Sequence, residues 1–458
     1  MRDLAFLAVL SSFLPVFFIA PHVGVLVWVW LGAMNPHQMV YGFASSLPVV
    51  MLTAALTMVA WAASNEKKSL PLNAISLLMI ILICWTSFTS LFALSPNYAW
   101  FYWNRAEKSW VLALVVIAMI NNKIRIHALI WIIAVSLGWY GVKAGLYTIA
   151  TGGHGMALGP PDSMIGDRNH FALAMCMTLP LLNYLRENSA YRLVRLGLLA
   201  ALIMTVIAVL GTQSRGGFVA LAITLFFFWL KSKHKFVTAA VGVMFIIPAV
   251  AFMPQEWVSR MQTIENAQED NSFQGRLDAW QFAINVASAR PIFSGGFGAT
   301  YDKQVFTRYA GNTETAQTVG RRAAHSIYFE ILGDHGFIGL AIFLGLLYAT
   351  YHNCSVIRKR TAKRPDLKWA GDLAAMMQVS LVAYGVAGGL VSMGYYETVY
   401  VMIGAIASLR FQVEKALNPE KYERKLPAAA AARPVAGATP QRAVVGRGWS
   451  PQVRPERN

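Results

Sequence analysis

Residues 321–352 read RRAAHSIYFEILGDHGFIGLAIFLGLLYATYH, and the change of character inside this stretch sets the architecture. From Ser326 onward the chain is an apolar run longer than the roughly 20 residues that cross the hydrocarbon core of a bilayer. Before it, Arg321, Arg322, Ala323, Ala324 and His325 close a polar stretch that begins at Pro254. An arginine cluster beside an imidazole at a membrane surface suits a substrate with a diphosphate head and a greasy tail. Guanidinium pairs bidentately with phosphate oxygens, and histidine titrates near neutrality.

The same lipid-soluble character runs through most of the chain. Hydrophobic residues make up 56% and charged residues 13% of the sequence, with a mean hydropathy of +0.47; a soluble domain carries about 25% charged residues. Apolar runs of spanning length lie near 42–63, 71–93, 105–120, 126–150, 169–185, 193–211, 216–230, 236–253, 326–352, 373–394 and 396–412. Residues 4–34 are apolar but broken at Pro21-His22, so they read as two short helices or one bent crossing. Lys and Arg collect at 65–68, 123–125, 186–195, 231–235 and 358–368, and the segment after Arg410 is also basic. Cytoplasmic connections attract such cations. With both chain ends on that side the crossings are even in number, which favours one broken crossing for 4–34 and about twelve in all. A cleaved signal peptide over Met1 to Ala20 is the rival reading, disfavoured because the chain re-enters an apolar run at once.

The expected organisation is therefore all-α and polytopic: residues 1–253 with nine crossings, an outer loop over 254–325 with amphipathic helices, three more crossings over 326–412, and a basic disordered cytoplasmic tail over 413–458. Part of the net charge of +17 sets topology and meets anionic lipid. The expected outer connections, Pro96 to Lys108, Thr151 to Arg168, Gly211 to Gly217 and Pro254 to His325, also carry cations, mostly arginine. Glu256, Glu265, Glu269, Asp270 and Asp278 balance several of these in the long loop. Cys84 and Cys176 fall inside spans and Cys354 at a cytoplasmic end, so none staples the outer loop, and no metal site follows from them. Nothing in the sequence points to a cofactor or a nucleic-acid partner.

Four stretches carry candidate chemistry. Gly211-Thr212-Gln213-Ser214-Arg215-Gly216-Gly217 is a tight outer turn in which Arg215, Gln213 and Ser214 form an anion cradle, or Arg215 is a snorkelling anchor. Gln274-Gly275-Arg276 precedes an amphipathic helix over 277–289, with Leu277, Trp280, Ala283, Ile284 and Ala287 on the stripe that faces the membrane surface. An arginine at that helix start makes a phosphate site, or an ion pair with Asp278 or Glu269; Arg290 and Gly295-Gly296-Phe297-Gly298 follow. In His325 to Gly339, helical spacing places His325, Tyr328 and Phe329 on one face and lets Gly333, Gly336 and Gly339 pack closely. There His325 is catalytic or a structural cap, and His335 is structural. Lys143, flanked by Tyr140 and Tyr147, is an intramembrane cation or one that snorkels outward; Asp167 or Asn169 caps the helix after Arg168. Trp100, Tyr102, Trp103 and Trp131 fit an interfacial aromatic belt.

Through the Ser214-Arg215-Gly216-Gly217 turn, the Gly275-Arg276 and Trp280 region with Gly295 to Gly298, and the His325 to Gly339 helix, the chain resembles the O-antigen ligase and polymerase superfamily. The likeness is greatest to WaaL-type ligases and to O-glycosylation ligases found with exosortase systems; members often carry Asn where this chain has Ser326. The resemblance implies a GT-C-like glycosyltransferase of the bacterial inner membrane, working at the periplasmic face. It would move a glycan from undecaprenyl diphosphate to an acceptor, for WaaL the lipid A core. His325, Arg215 and Arg276 are then the catalytic residues, in an inverting and metal-independent displacement. Arg168, Lys143, Gln213, Ser214, Arg290, Arg321, Arg322 and Tyr328 are expected to contact substrate. O-antigen polymerisation and protein glycosylation share the donor chemistry and stay open; a lipid-linked glycan flippase or transporter is a reading from another class, set against candidate residues that cluster at one face.

Overall fold

The computed structural model describes residues 2–40, 42–231, 235–236, 271–310 and 323–423. The span expected over 236–253, the acids Glu256, Glu265, Glu269 and Asp270, the pair Arg321 and Arg322, and the tail beyond 423 lie outside the described residues. Residues 1–414 form one compact unit. From Lys415 onward the chain is a separate unit, of which the end of one helix and a short helix at Pro419–Glu423 are described.

The described chain is helical and contains no strand. Its main helices are α1 (Arg2–Ile19), α2 (Pro21–Met34), α3 (Val49–Ala63), α4 (Ala74–Leu91), α5 (Pro96–Met119), α6 (Lys123–Ala150), α7 (Arg168–Asn188), α8 (Arg192–Gly211), α9 (Arg215–Lys231), α10 (Asn271–Ala289), α11 (Lys303–Tyr309), α12 (Ile327–Thr361), α13 (Lys368–Gly388) and α14 (Glu397–Leu417). Six helical segments among the described residues are long and apolar enough to cross a membrane: α1, α4, α6, α8, α12, and α13 with the turn before it. The apolar helices α2 and α3 are shorter.

Local chemistry fixes many boundaries. Asn73 accepts from the Ile75 and Ser76 N–H groups, and Ser76 Oγ accepts from the Asn73 N–H, a reciprocal cap that starts α4. Asn122 caps α6 and Asp167 caps α7 through side-chain oxygens alone, satisfying amides that have no partner in the first turn. Pro96 opens α5 after Ser95, where its missing N–H costs nothing. The helix therefore begins well before 105, and the expected outer connection from Pro96 to Lys108 is helical instead. Helices α7 and α14 are buried along most of their lengths and form the middle of the bundle.

The connections sort into two ends. At one, Arg125 holds Glu66 bidentately at 2.9 and 2.6 Å, His127 meets the Tyr184 hydroxyl at 2.7 Å, and Lys231 donates to the Ala375 carbonyl at 2.7 Å. These are the lysine- and arginine-rich connections. At the other end, the Ala157 N–H reaches the Gly211 carbonyl at 2.9 Å and the Leu94 N–H reaches Gly295 at 2.9 Å, while Gln213 Nε2 donates to Gly153 at 3.1 Å.

Two further expectations are corrected. Residues 4–34 are not one broken crossing: Asp3, at the start of α1, accepts from the Gly42 and Ala44 N–H groups at 3.1 Å each, beyond the end of α2. Helices α1 and α2 thus double back as a hairpin, with Phe6, Leu10, Val27 and Leu31 in a shared core. In α10 the buried residues include Ala279, Phe282, Ala283 and Val286, whereas Leu277 and Ile284 are 38% and 40% exposed. The helix is turned toward α12 and α11, because Phe282 stacks on Phe306 at 5.2 Å and Val286 joins the same cluster.

Candidate active site

The entry to α12 is held from the side by α10. Trp280 Nε1 donates to the Ala324 carbonyl at 2.8 Å, and the Trp280 ring stacks on Phe329 at 4.8 Å with an interplanar angle of 15°. Between these two anchors His325 adopts φ 45°, a left-handed conformation unusual for a residue with a side chain. Ser326 is the N-cap residue of α12. His325 therefore precedes the helix and does not share a helical face with Tyr328 and Phe329, which corrects the expected spacing. Tyr328 instead donates to the Gly385 carbonyl at 2.7 Å.

Arg276 lies one helical turn before Trp280 on α10, and positions four apart share a face. Helix α10 begins at Asn271, not at 277, so Arg276 sits in its second turn. The free N–H groups of a helix start are thus not beside it, and any phosphate contact comes from the guanidinium.

The Arg215 turn joins α8 to α9. Gln213 has φ 51° and is buried. Ser214 Oγ donates to Asn169 Oδ1 at 2.7 Å and accepts from the Gly217 N–H at 3.0 Å, so it caps α9 and leaves Arg215 as the first helical residue. A Cβ at Gly217 would lie 2.5 Å from that of Ala172, so only glycine allows α9 to approach α7 here. A Cβ at Gly216 would touch Leu390 at 3.5 Å, and one at the adjacent Gly389 would touch the Tyr328 ring at 3.7 Å. Neighbours of the candidates thus connect the two segments: Gly216 lies beside Leu390, Gly389 lies beside Tyr328, and Trp280 bonds to the residue before His325.

A break in α12 sets the frame below this cluster. Gly336 has φ 71° and ψ −171°, which interrupts the helix. The carbonyls released by the break accept from the 294–296 loop: Ser294 Oγ reaches Gly333 at 2.7 Å, and the Gly295 and Gly296 N–H groups reach Gly333 and Asp334 at 3.1 and 2.9 Å. Asp334 accepts from the Gly298 N–H at 3.1 Å and the Tyr395 hydroxyl at 2.8 Å. Glu330 accepts from the Gly394 N–H at 2.8 Å. The sequence reading passed over Glu330, Asp334 and Tyr395. Their signal was available, because two acids inside an apolar helix are costly to bury unless they have partners. His335 is fully buried and meets Thr89 Oγ1 at 2.7 Å.

The remaining candidates are more dispersed. Arg290 Nη2 donates to the Phe92 carbonyl at 2.7 Å and ties the end of α10 to the loop after α4. Nearby, the Ser95 hydroxyl donates to Asp302, and this bond, with the Val305 and Gln304 amides, holds the Asp302 carboxyl below the usual range despite partial burial. Arg168 begins α7, with Nη1 3.3 Å from the Met156 sulfur. Lys143 is exposed on the flank of α6, and no hydrogen bond or ion pair joins it to the other candidates among the described residues.

Residues 1–190, α1 through α7, match a family of unknown function (DUF5935). No curated protein matches the chain. Residues 199–344 match the family described as O-Antigen ligase, a segment that contains Arg215, Arg276 and His325 but not Lys143 or Arg168. The chain thus carries a segment similar to the O-antigen ligase family, set in a helical bundle with several helices long and apolar enough to cross a membrane.

Proposed function

We propose that the protein transfers a glycan from undecaprenyl diphosphate to the lipid A core oligosaccharide, at the periplasmic face of a bacterial inner membrane. The observation that carries this reading is the clamp on His325: a left-handed φ, with Trp280 bonded to the preceding residue and Arg276 one turn away on the same helix face. Backbone held in a sparsely populated conformation by surrounding contacts is characteristic of sites where geometry matters.

In the proposed step, a hydroxyl oxygen of the acceptor attacks the anomeric carbon from the face opposite the diphosphate. His325 takes the hydroxyl proton as general base. The bond from the anomeric carbon to the phosphate oxygen breaks, its electron pair leaves with undecaprenyl diphosphate, and the configuration at that carbon inverts. Arg215 and Arg276 stabilise the charge that builds on the departing group. Arg168 and Arg290 add positive charge around this end. Gln213, Ser214 and Tyr328 act mainly on the frame, since each donates to a protein oxygen.

The test is a reconstituted assay with purified protein, undecaprenyl-diphosphate-linked glycan and three acceptors: lipid A core, a second donor glycan and an acceptor protein. Transfer to the lipid A core, with an inverted linkage and no loss after exhaustive chelation, is expected. Product formed only by glycan elongation or only on protein would replace the ligase reading with polymerase or protein glycosyltransferase. Strict dependence on added Mg2+ or Mn2+ would refute the metal-independent step.

A further inference from the structure

At the opposite, basic end of the bundle a cavity of about 1280 Å3 opens between α7, α9, α12 and α13. Among the described residues six cations line it: Arg186, Lys231, Arg358, Lys363, Arg364 and Lys368. Three of them have acids. Arg364 pairs with Asp366 at 2.8 Å, Lys368 pairs with Asp372, and Arg186 stands 3.5 Å from Glu187. Lys231, Arg358 and Lys363 pair with no carboxylate among the described residues.

The first two meet at the cavity's inner wall. Arg358 Nη1 donates to Gln378 Oε1 at 2.9 Å, and Lys231 Nζ approaches the same oxygen at 3.3 Å while donating to the Ala375 carbonyl at 2.7 Å. Gln378 is 2% exposed, and its amide nitrogen is committed to Ser355 Oγ at 2.6 Å and the Tyr351 carbonyl at 3.2 Å. Its oxygen therefore faces the cations. Two positive charges converge on one neutral acceptor in a partly desolvated wall, where their repulsion is poorly screened. An anion between them relieves that repulsion. Phosphate has the charge and the oxygens to bond both groups at once.

We propose that this cavity binds a phosphate-bearing headgroup through Lys231, Arg358 and Lys363. The site is separate from the His325 cluster and independent of the ligase reading. Phe228, Leu230 and Met376 also line the cavity, and Leu230 is 42% exposed on α9. An apolar wall of this kind accepts an acyl chain beside the headgroup, as basic pockets between membrane helices do for anionic lipids. A soluble phosphate would use the same cations without the apolar wall.

The experiment uses the full-length protein in neutral detergent and reads retained ligand by native mass spectrometry, with phosphatidylglycerol, phosphatidylcholine and inorganic pyrophosphate added separately and in competition. Retention of phosphatidylglycerol over phosphatidylcholine is expected. Lys363→Gln, an exposed rim change that leaves the bundle intact, is expected to weaken it about fivefold, and Lys231→Gln with Arg358→Gln by more, on the scale of one cation at an anionic membrane surface. Phosphatidylglycerol retained in the presence of excess pyrophosphate supports a lipid as the source. Displacement by pyrophosphate supports a soluble one. Equal retention of both lipids by the wild type, or unchanged phosphatidylglycerol retention in both variants, overturns the proposal.

Discussion

Replacing Trp280 isolates the positioning of His325 from its chemistry. The indole contributes two separable contacts, a hydrogen bond to the Ala324 carbonyl at 2.8 Å and a stacked contact with Phe329 at 4.8 Å. A hydrogen bond of this kind is worth about 1 kcal/mol net, and a stacked aromatic pair adds a further ~1 kcal/mol. Trp280→Phe keeps a ring and loses the bond, so its transfer rate is expected to fall about fivefold if the full bond energy positions the base. Trp280→Ala loses both, and roughly 30-fold is expected on the same basis. The assay is glycan transfer under saturating donor, with the melting temperature measured in parallel. The fall should appear in kcat with little change in donor KM, because the indole acts through His325 and not on the diphosphate. Two variants that melt like the wild type and turn over within twofold of it would refute the positioning role.

Gly336→Ala tests the break in α12. An alanine there must hold φ 71° and place its Cβ 3.1 Å from the Pro291 carbonyl oxygen, at a cost of about 1–3 kcal/mol, read as a lower thermal midpoint. Glu66→Gln tests the pairing at the basic end. The hydrogen bonds from Arg125 hold the Glu66 carboxyl below its ordinary value against the opposing effect of burial. A depressed carboxylate stabilises the fold fully above its unfolded pKa, and that stability is lost as pH falls through the folded value. Wild type should therefore melt above the variant at neutral pH, with the gap closing below about pH 4; a gap that persists in acid would contradict this.

Much of the architecture was legible because the bilayer constrains it. Basic clusters around Lys67, Arg125, Arg186, Lys231 and Arg358 marked one end of the bundle, and these connections do lie together in space. Caps such as Asp167 could be named from residue type, since a short carboxylate before a helix has few better uses. The hairpin of α1 and α2 was hidden because an apolar run says where lipid is tolerated and not which way the chain turns. The buried face of α10 was misread because two apolar stripes compete, Leu277 with Ile284 and Phe282 with Val286, and only the neighbours decide. Gly336 looked like one member of a close-packing series with Gly333 and Gly339. Its positive φ depends on the 294–296 loop, which is distant in sequence. Arg215, Arg276 and His325 are candidates on their chemistry alone, whereas the Trp280 bond to the residue before His325 is a tertiary contact.

The most direct measurement separates donor binding from turnover in His325→Ala, Arg215→Ala and Arg276→Ala, each checked for a wild-type melting profile. His325→Ala is expected to bind undecaprenyl-diphosphate-linked glycan with a Kd near that of the wild type while transfer falls about 10²- to 10⁴-fold, the usual contribution of a general base. The two arginine variants should lose affinity for the donor as well as rate. Transfer by His325→Ala at the wild-type rate, or unchanged donor binding and turnover in both arginine variants, would contradict the assignment of this end of the bundle as the active site.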